Sequence, residues 1–207
     1  MSVKDKLIVA LDVDTMEEVE SLTGLLRDEV GMFKIGMQLY NSLGREVVTR
    51  VREGGGRVFL DLKLHDIPNT VGQAVRVLTS LGADIINVHA SGGRPMMEAA
   101  AEAAAAEADR LGIARPLVIA VTILTSLGDE DLSEIGYRNG PADMVKRLAM
   151  LSKKAGLDGV VCSPQEASLV RQVCGEEFIT VTPGVRPASA AVGDQKRIMT
   201  PGRAIEA

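Results

Sequence analysis

The sequence contains no tryptophan, and its three phenylalanines and two tyrosines make up only 2% of 207 residues. That poverty excludes the aromatic platforms on which single-stranded nucleic acids stack. Positive charge is scarce as well. There are 23 basic and 28 acidic residues, a net charge of −5, and no basic stripe. No nucleic-acid groove is therefore expected. A small anionic ligand is not excluded, because a few local cations or a helix N-terminus can hold one. No apolar run approaches ~18 residues, so no transmembrane helix and no membrane partner are expected. The N-terminus leads only into Leu7–Leu11, closed by Asp12. That stretch is too short for a signal-peptide core. The two cysteines, Cys162 and Cys174, form no C-x-x-C. Neither a disulfide framework nor a zinc site is expected, and both thiols read as reduced, as in a cytoplasmic protein.

What is present is ordinary globular material, 46% apolar and 25% charged. Seven short apolar runs recur: Leu7–Leu11, Met32–Ile35, Val58–Leu62, Ile85–Val88, Leu117–Val121, Gly159–Cys162 and Ile179–Val181. They alternate poorly with polar residues, as strands buried on both faces do. Helical stretches lie between them. The first opens on the capping box Thr15-Met16-Glu17-Glu18. A second, preceded by Gln38-Leu39-Tyr40, runs to about Glu53 before Gly54-Gly55-Gly56. Another includes the alanine-rich run Glu98–Glu107, and a further one opens at Pro141 and ends near Gly156.

Unbroken β-α alternation implies parallel strands with right-handed crossovers. Seven units favour an α/β fold of the TIM type, a (β/α)8 barrel in one domain over residues 1–207. Strand midpoints lie roughly 28 residues apart, so an eighth would fall near ~210, beyond the last residue. Thr200–Ile205 reads as the start of the helix before it. The expectation is that the eighth strand and final helix are missing from this sequence.

In such a barrel the active site lies at the C-terminal strand ends. Those ends carry Asp12, Lys34, Asp61, Lys63, His89 and Thr122, with Arg186 slightly further on. The densest cluster is Asp61-Leu62-Lys63-Leu64-His65-Asp66. Residues 61 and 63 are two apart on a strand and share one side. Lys34, from the neighbouring strand, would sit beside Asp61, and Asp66 lies past the strand end. The result is an alternating row, Lys34, Asp61, Lys63, Asp66. A lone D-x-K pair on a surface is an ordinary ion pair. Several charges at barrel strand ends are costly to bury without partners or purpose.

Together these residues resemble the orotidine 5′-phosphate decarboxylase family, in its bacterial-type branch. The resemblance spans essentially the whole chain. It is carried by Ala10-Leu11-Asp12, Phe33-Lys34-Ile35-Gly36, Asp61-Leu62-Lys63-Leu64-His65-Asp66-Ile67-Pro68-Asn69-Thr70, Val88-His89-Ala90, Thr182-Pro183-Gly184-Val185-Arg186-Pro187 and Gly193-Asp194-Gln195. The D-L-K-x-x-D-I-P-N-T element is highly specific. The resemblance also implies a G-R pair after strand eight, expected to be missing along with that strand; Gly202-Arg203 falls in the preceding helix.

The resemblance implies cofactor-free decarboxylation of orotidine 5′-monophosphate, with no metal. Lys63 would stabilise the C6 carbanion and protonate it, with Asp61, Lys34 and Asp66 completing the network. Asp12 and Lys34 would bind ribose hydroxyls. Asp66, Ile67 and Thr70 would act across a homodimer interface. Thr125, or else Thr122, would touch the pyrimidine edge. Pro183 and Arg186 open a long loop reaching Thr200, in which Gly193 offers a pivot; Arg186 and Gln195 would contact phosphate or base. Loop Thr125–Gly140 is a second candidate lid. His65 and His89 read as structural, Cys162 as a small buried hydrophobe, and Met96-Met97 as helix packing.

Two rival functions are open. Magnesium-dependent sugar-phosphate lyases share D-x-K-x-x-D, but in them strand two ends in a glutamate that helps hold the metal, where this chain has Lys34. A lysine there repels a cation. The other rival is a non-catalytic nucleotide-binding fragment.

Overall fold

The computed structural model describes residues 2–186 and 199–206. Seven strands follow one another: β1 (Ile8–Ala10), β2 (Met32–Gly36), β3 (Val58–Leu64), β4 (Ile85–His89), β5 (Leu117–Val121), β6 (Gly159–Val161) and β7 (Ile179–Val181). Between them lie α1 (Met16–Leu26), α2 (Met37–Leu43), α3 (Glu46–Glu53), α4 (Pro68–Ser80), α5 (Arg94–Leu111), α6 (Asp129–Glu134), α7 (Pro141–Lys154) and α8 (Ala167–Cys174). The helix α9 (Pro201–Glu206) falls where a helix after β7 was expected.

The strands form one sheet in the order β1-β2-β3-β4-β5-β6-β7. The pairings β1–β2, β2–β3, β5–β6 and β6–β7 are parallel. Strictly sequential parallel order, with a helix in each connection, is the order of a (β/α)8 barrel. The fold class is therefore α/β, as expected, with seven strands among the described residues and no eighth.

Contacts group the chain into two compact units, Met1–Asn87 with Ala99–Val118, and Val88–Glu98 with Ile119–Ala207. The first buries Phe33, Ile35, Leu39, Val47, Leu60 and Val75 beneath its helices. In the second, Met96, Met97, Val145, Leu148, Val160 and Val170 are buried. The methionine pair is thus core packing, and the Ser152 hydroxyl lies 3.5 Å from the Met97 sulfur. Cys162 and Cys174 are both buried, and neither forms a disulfide. Burial pushes the Cys174 thiol up, against the smaller opposing effect of Lys153.

The single helix expected after Gln38-Leu39-Tyr40 and running to about Glu53 is instead two helices, α2 and α3, and Gln38–Tyr40 lie inside α2. Gly44 ends α2 with φ 66°, a left-handed conformation that glycine adopts at no steric cost. The capping box stands as read. Thr15 accepts from the Glu18 N–H, and the Glu18 carboxylate accepts from the Thr15 N–H at 3.1 Å. The Thr15 hydroxyl, ahead of backbone N–H groups, holds the Glu18 carboxyl below its ordinary range.

Thr15→Ala should lower unfolding free energy by about 1 kcal/mol in a urea titration at neutral pH. Glu18 is depressed in the folded state, so its contribution is full above the ordinary carboxylate range. It fades as pH falls through the lowered value. The difference between Thr15→Ala and the parent should shrink accordingly in acid.

Candidate active site

The charged residues of β1–β3 meet in the first unit. Register places Ala10 opposite Lys34, and Gly36 opposite Asp61. Asp12 follows β1 and is exposed. Lys34 Nζ lies 3.7 Å from Asp12 Oδ1 and 3.5 Å from Asp61 Oδ2. Lys63 Nζ lies 2.6 Å from Asp61 Oδ1. Four charges thus alternate in sign, Asp12, Lys34, Asp61, Lys63, and sum to zero. Asp61 is the best-shielded of them, with its side chain 13% exposed against 24% for Lys34 and 27% for Lys63.

Gly36 packs closely under the row. A Cβ at that position would stand 3.2 Å from Lys34 Nζ, in the space the ammonium uses beside Asp61. The ammonium therefore occupies the place between two carboxylates where a bridging cation would sit.

Asp66 does not extend the row within its own chain. Its Oδ1 accepts from the Ile67 N–H at 2.6 Å, and no ion pair joins it among the described residues. Asp66, Ile67 and Thr70 are all exposed at the start of α4, Ile67 to 66%. They stand together on the surface of one chain.

The sequence reading missed Asn87. It sits on β4 with 1% exposure, between buried Ile86 and Val88. Its Nδ2 donates to Asp61 Oδ1 at 2.7 Å, and its Oδ1 accepts from the Lys63 backbone N–H at 2.8 Å. Lys63 has φ 53°, the one non-glycine residue with positive φ among the described residues. For a lysine this conformation costs roughly 1–2 kcal/mol. The available signal was a lone amide inside the apolar run Ile85-Ile86-Asn87-Val88. Nothing in the spacing linked it to residue 63.

In the second unit, Thr125 is buried. Thr122, the alternative, spends its hydroxyl on the Val161 carbonyl at 2.8 Å. Segment Thr125–Gly140 is not loop throughout; it carries α6. Pro183 and Arg186 are exposed after β7. The Arg186 N–H donates to the Met199 carbonyl, and the Met199 N–H to the Gly184 carbonyl, so a two-bond bridge ties residues 184–186 to Met199. Gln195 and Gly193 lie outside the described residues.

A row of paired lysines and aspartates at the ends of sequential parallel strands is the candidate site, and the chain carrying it has the α/β fold of a TIM-type barrel. The sequence model described as "Orotidine 5'-phosphate decarboxylase / HUMPS family" matches residues 5–207, and the chain belongs to that family. It is 51% identical over 206 residues to an orotidine 5′-phosphate decarboxylase of Moorella thermoacetica, covering 99% of this chain and 82% of that protein. It is 52% identical over 202 residues to the enzyme of that name from Pelobacter propionicus, covering 98% and 83%. The crystal structure of orotidine 5′-phosphate decarboxylase from Lactobacillus acidophilus superposes with a TM-score of 0.84 at 38% identity, over 97% of this chain and 85% of that one. At this identity and coverage the chain is an enzyme, a carboxy-lyase.

Asp61 is the shared acceptor of two ammoniums and one amide, so its loss leaves all three short of a partner. Asp61→Ala should cost about 1–2 kcal/mol of stability, read from the urea midpoint, because the hydrogen bonds it loses are charged but only partly buried. An unchanged midpoint would show that solvent replaces the carboxylate without penalty.

Proposed function

We propose that the chain converts orotidine 5′-monophosphate to uridine 5′-monophosphate and carbon dioxide without a cofactor, with Lys63 as the residue that stabilises and protonates C6. The decarboxylation follows from the family and is a step of pyrimidine biosynthesis. The part given to Lys63 is supported by one observation above all: its ammonium is held on Asp61 at the end of β3, at a backbone conformation a lysine adopts only when held there.

The chemistry needs such a group. When the bond from C6 to the carboxylate breaks, its electron pair stays on C6 in the plane of the ring. The π-system cannot spread that charge. An ammonium beside C6 can stabilise it and then supply the proton of the new C6–H bond; the neutral amine recovers a proton from water. Two unit charges ~4 Å apart at an effective dielectric of ~20 interact by about 4 kcal/mol. That is useful but far short of what a slow decarboxylation requires. Binding energy from the remote phosphate must contribute.

The other roles are assigned on the same reading. Asp61 holds and orients Lys63 and lies near the substrate carboxylate. Asp12 and Lys34 receive the ribose hydroxyls, a carboxylate being able to accept from both members of a diol. Thr125 meets the pyrimidine edge. Pro183, Arg186 and Gln195 serve the phosphate and its lid. Asp66, Ile67 and Thr70 act across a homodimer, a role that fits their joint exposure on one chain. The chain is a single domain over residues 1–207 and acts in the cytoplasm. Lys34 between two carboxylates disfavours the magnesium-dependent lyase.

With chelator-treated protein, the ultraviolet absorbance of orotidine 5′-monophosphate should fall at an undiminished rate. Lys63→Ala should reduce single-turnover decarboxylation by more than about 1,000-fold, while substrate affinity changes by less than about tenfold. Near-normal single turnover in that variant would remove Lys63 from the chemistry, and loss of activity on chelation would remove the cofactor-free route.

A further inference from the structure

One neighbouring side chain holds the Lys63 backbone directly and also holds the carboxylate that takes its ammonium. The Asn87 carboxamide accepts from the Lys63 backbone N–H through Oδ1 and donates through Nδ2 to Asp61 Oδ1, the same oxygen that takes Lys63 Nζ. A closed loop results: Lys63 N–H, Asn87 amide, Asp61 carboxylate, Lys63 ammonium. The orientation of the amide is fixed chemically. A backbone N–H can only donate, so the carbonyl end must face it, and the NH2 end is left for the carboxylate.

The location argues against a filler role. Asn87 is 1% exposed, in a strand whose neighbours Ile85, Ile86 and Val88 are buried hydrophobes. Burying an amide there is costly unless both its ends are used. Both are used on the same lysine and its counterion. That lysine is also the point of backbone strain, and a strained residue persists only where its surroundings over-determine it. Relaxation of residue 63 to ordinary extended backbone would turn φ by roughly 170° and redirect the side chain away from Asp61.

We propose that Asn87 is a positioning residue for Lys63, holding its left-handed backbone and its ammonium in register with Asp61 so that the ammonium is pre-placed for the reacting carbon. The proposal rests on the reading of Lys63 given above. Leucine at 87 would leave the Lys63 N–H without its acceptor. Aspartate would keep an acceptor for that N–H and set a second carboxylate against Asp61.

The test compares Asn87→Ala and the near-isosteric Asn87→Asp with the parent. Turnover, uridine 5′-monophosphate affinity and amide hydrogen exchange at Lys63 are measured on the full chain. Asn87→Ala should lower kcat by about 100-fold. KM and product affinity should stay within about threefold, because the binding groups remain in place. Exchange at the Lys63 amide should accelerate while the Phe59 and Leu60 amides stay protected. Asn87→Asp should lower kcat with the Lys63 amide still protected, which separates the two tethers. Parent-like kcat in both variants would overturn the proposal. So would a loss of kcat matched by an equal loss of product affinity, the mark of a merely structural residue. Should Asn87→Ala fail to fold, Asn87→Asp decides by its own kcat and product affinity. Should the parent fail to turn over the nucleotide, the functional reading falls, and Lys63 amide exchange alone decides the positioning: acceleration in Asn87→Ala upholds it, and unchanged exchange overturns it.

Discussion

The Asp61 carboxylate accepts from an ammonium and an amide on one oxygen and faces a second ammonium with the other. Everything around it is arranged for those three donors. Without Asp61, Lys34 and Lys63 are two like charges on adjacent strands, which repel. With it they become members of a neutral alternating row that can be partly buried. A partly shielded carboxylate with several hydrogen-bonded partners is a strong and directional anchor. These contacts set how the side chains at the strand ends are oriented.

The apolar interior supplies rigidity to that anchor. Residues such as Ile35, Leu60 and Ile86 are fully buried on the very strands that carry Lys34, Asp61 and Asn87. Each strand is held by its core residues, and the polar residue near its end inherits that fixed position. Functional groups on strands are more precisely placed than groups on loops. Other charges pair away from the row. Asp84 takes Arg52, Arg57 and the Val58 N–H, and Glu107 takes Arg110 in a two-bonded pair. Neither group joins the row, and both show that ion pairing in itself does not mark an active site.

Much of this was readable from residue order. All seven strands fall within the seven apolar runs, give or take one or two terminal residues. Buried parallel strands need short β-branched runs, and those runs have few other uses. Thr15 and Glu18 announce a helix start because a capping box is a contact between residues three apart. The charged row was readable as far as Lys34, Asp61 and Lys63, since strand alternation and neighbouring strands bring them together. The break at Gly44 was not, because a glycine within a helical pattern signals a stop only once its backbone angle is known. Asn87 was not, because its partners lie 24 and 26 residues away and its value comes from contact alone.

Local order along the chain, then, settles what depends on near neighbours: strand and helix alternation, caps, and the side of a strand on which a charge emerges. Those follow from backbone periodicity and from contacts a few residues apart. The tertiary structure decides what depends on distance in space. It sets which oxygen of Asp61 each donor takes, how Gly36 leaves room for an ammonium, and how an amide on β4 holds a strained lysine on β3. Such contacts form only when strands far apart in sequence are laid side by side, and a hydrogen bond is decided by tenths of an ångström that no pattern of residues encodes.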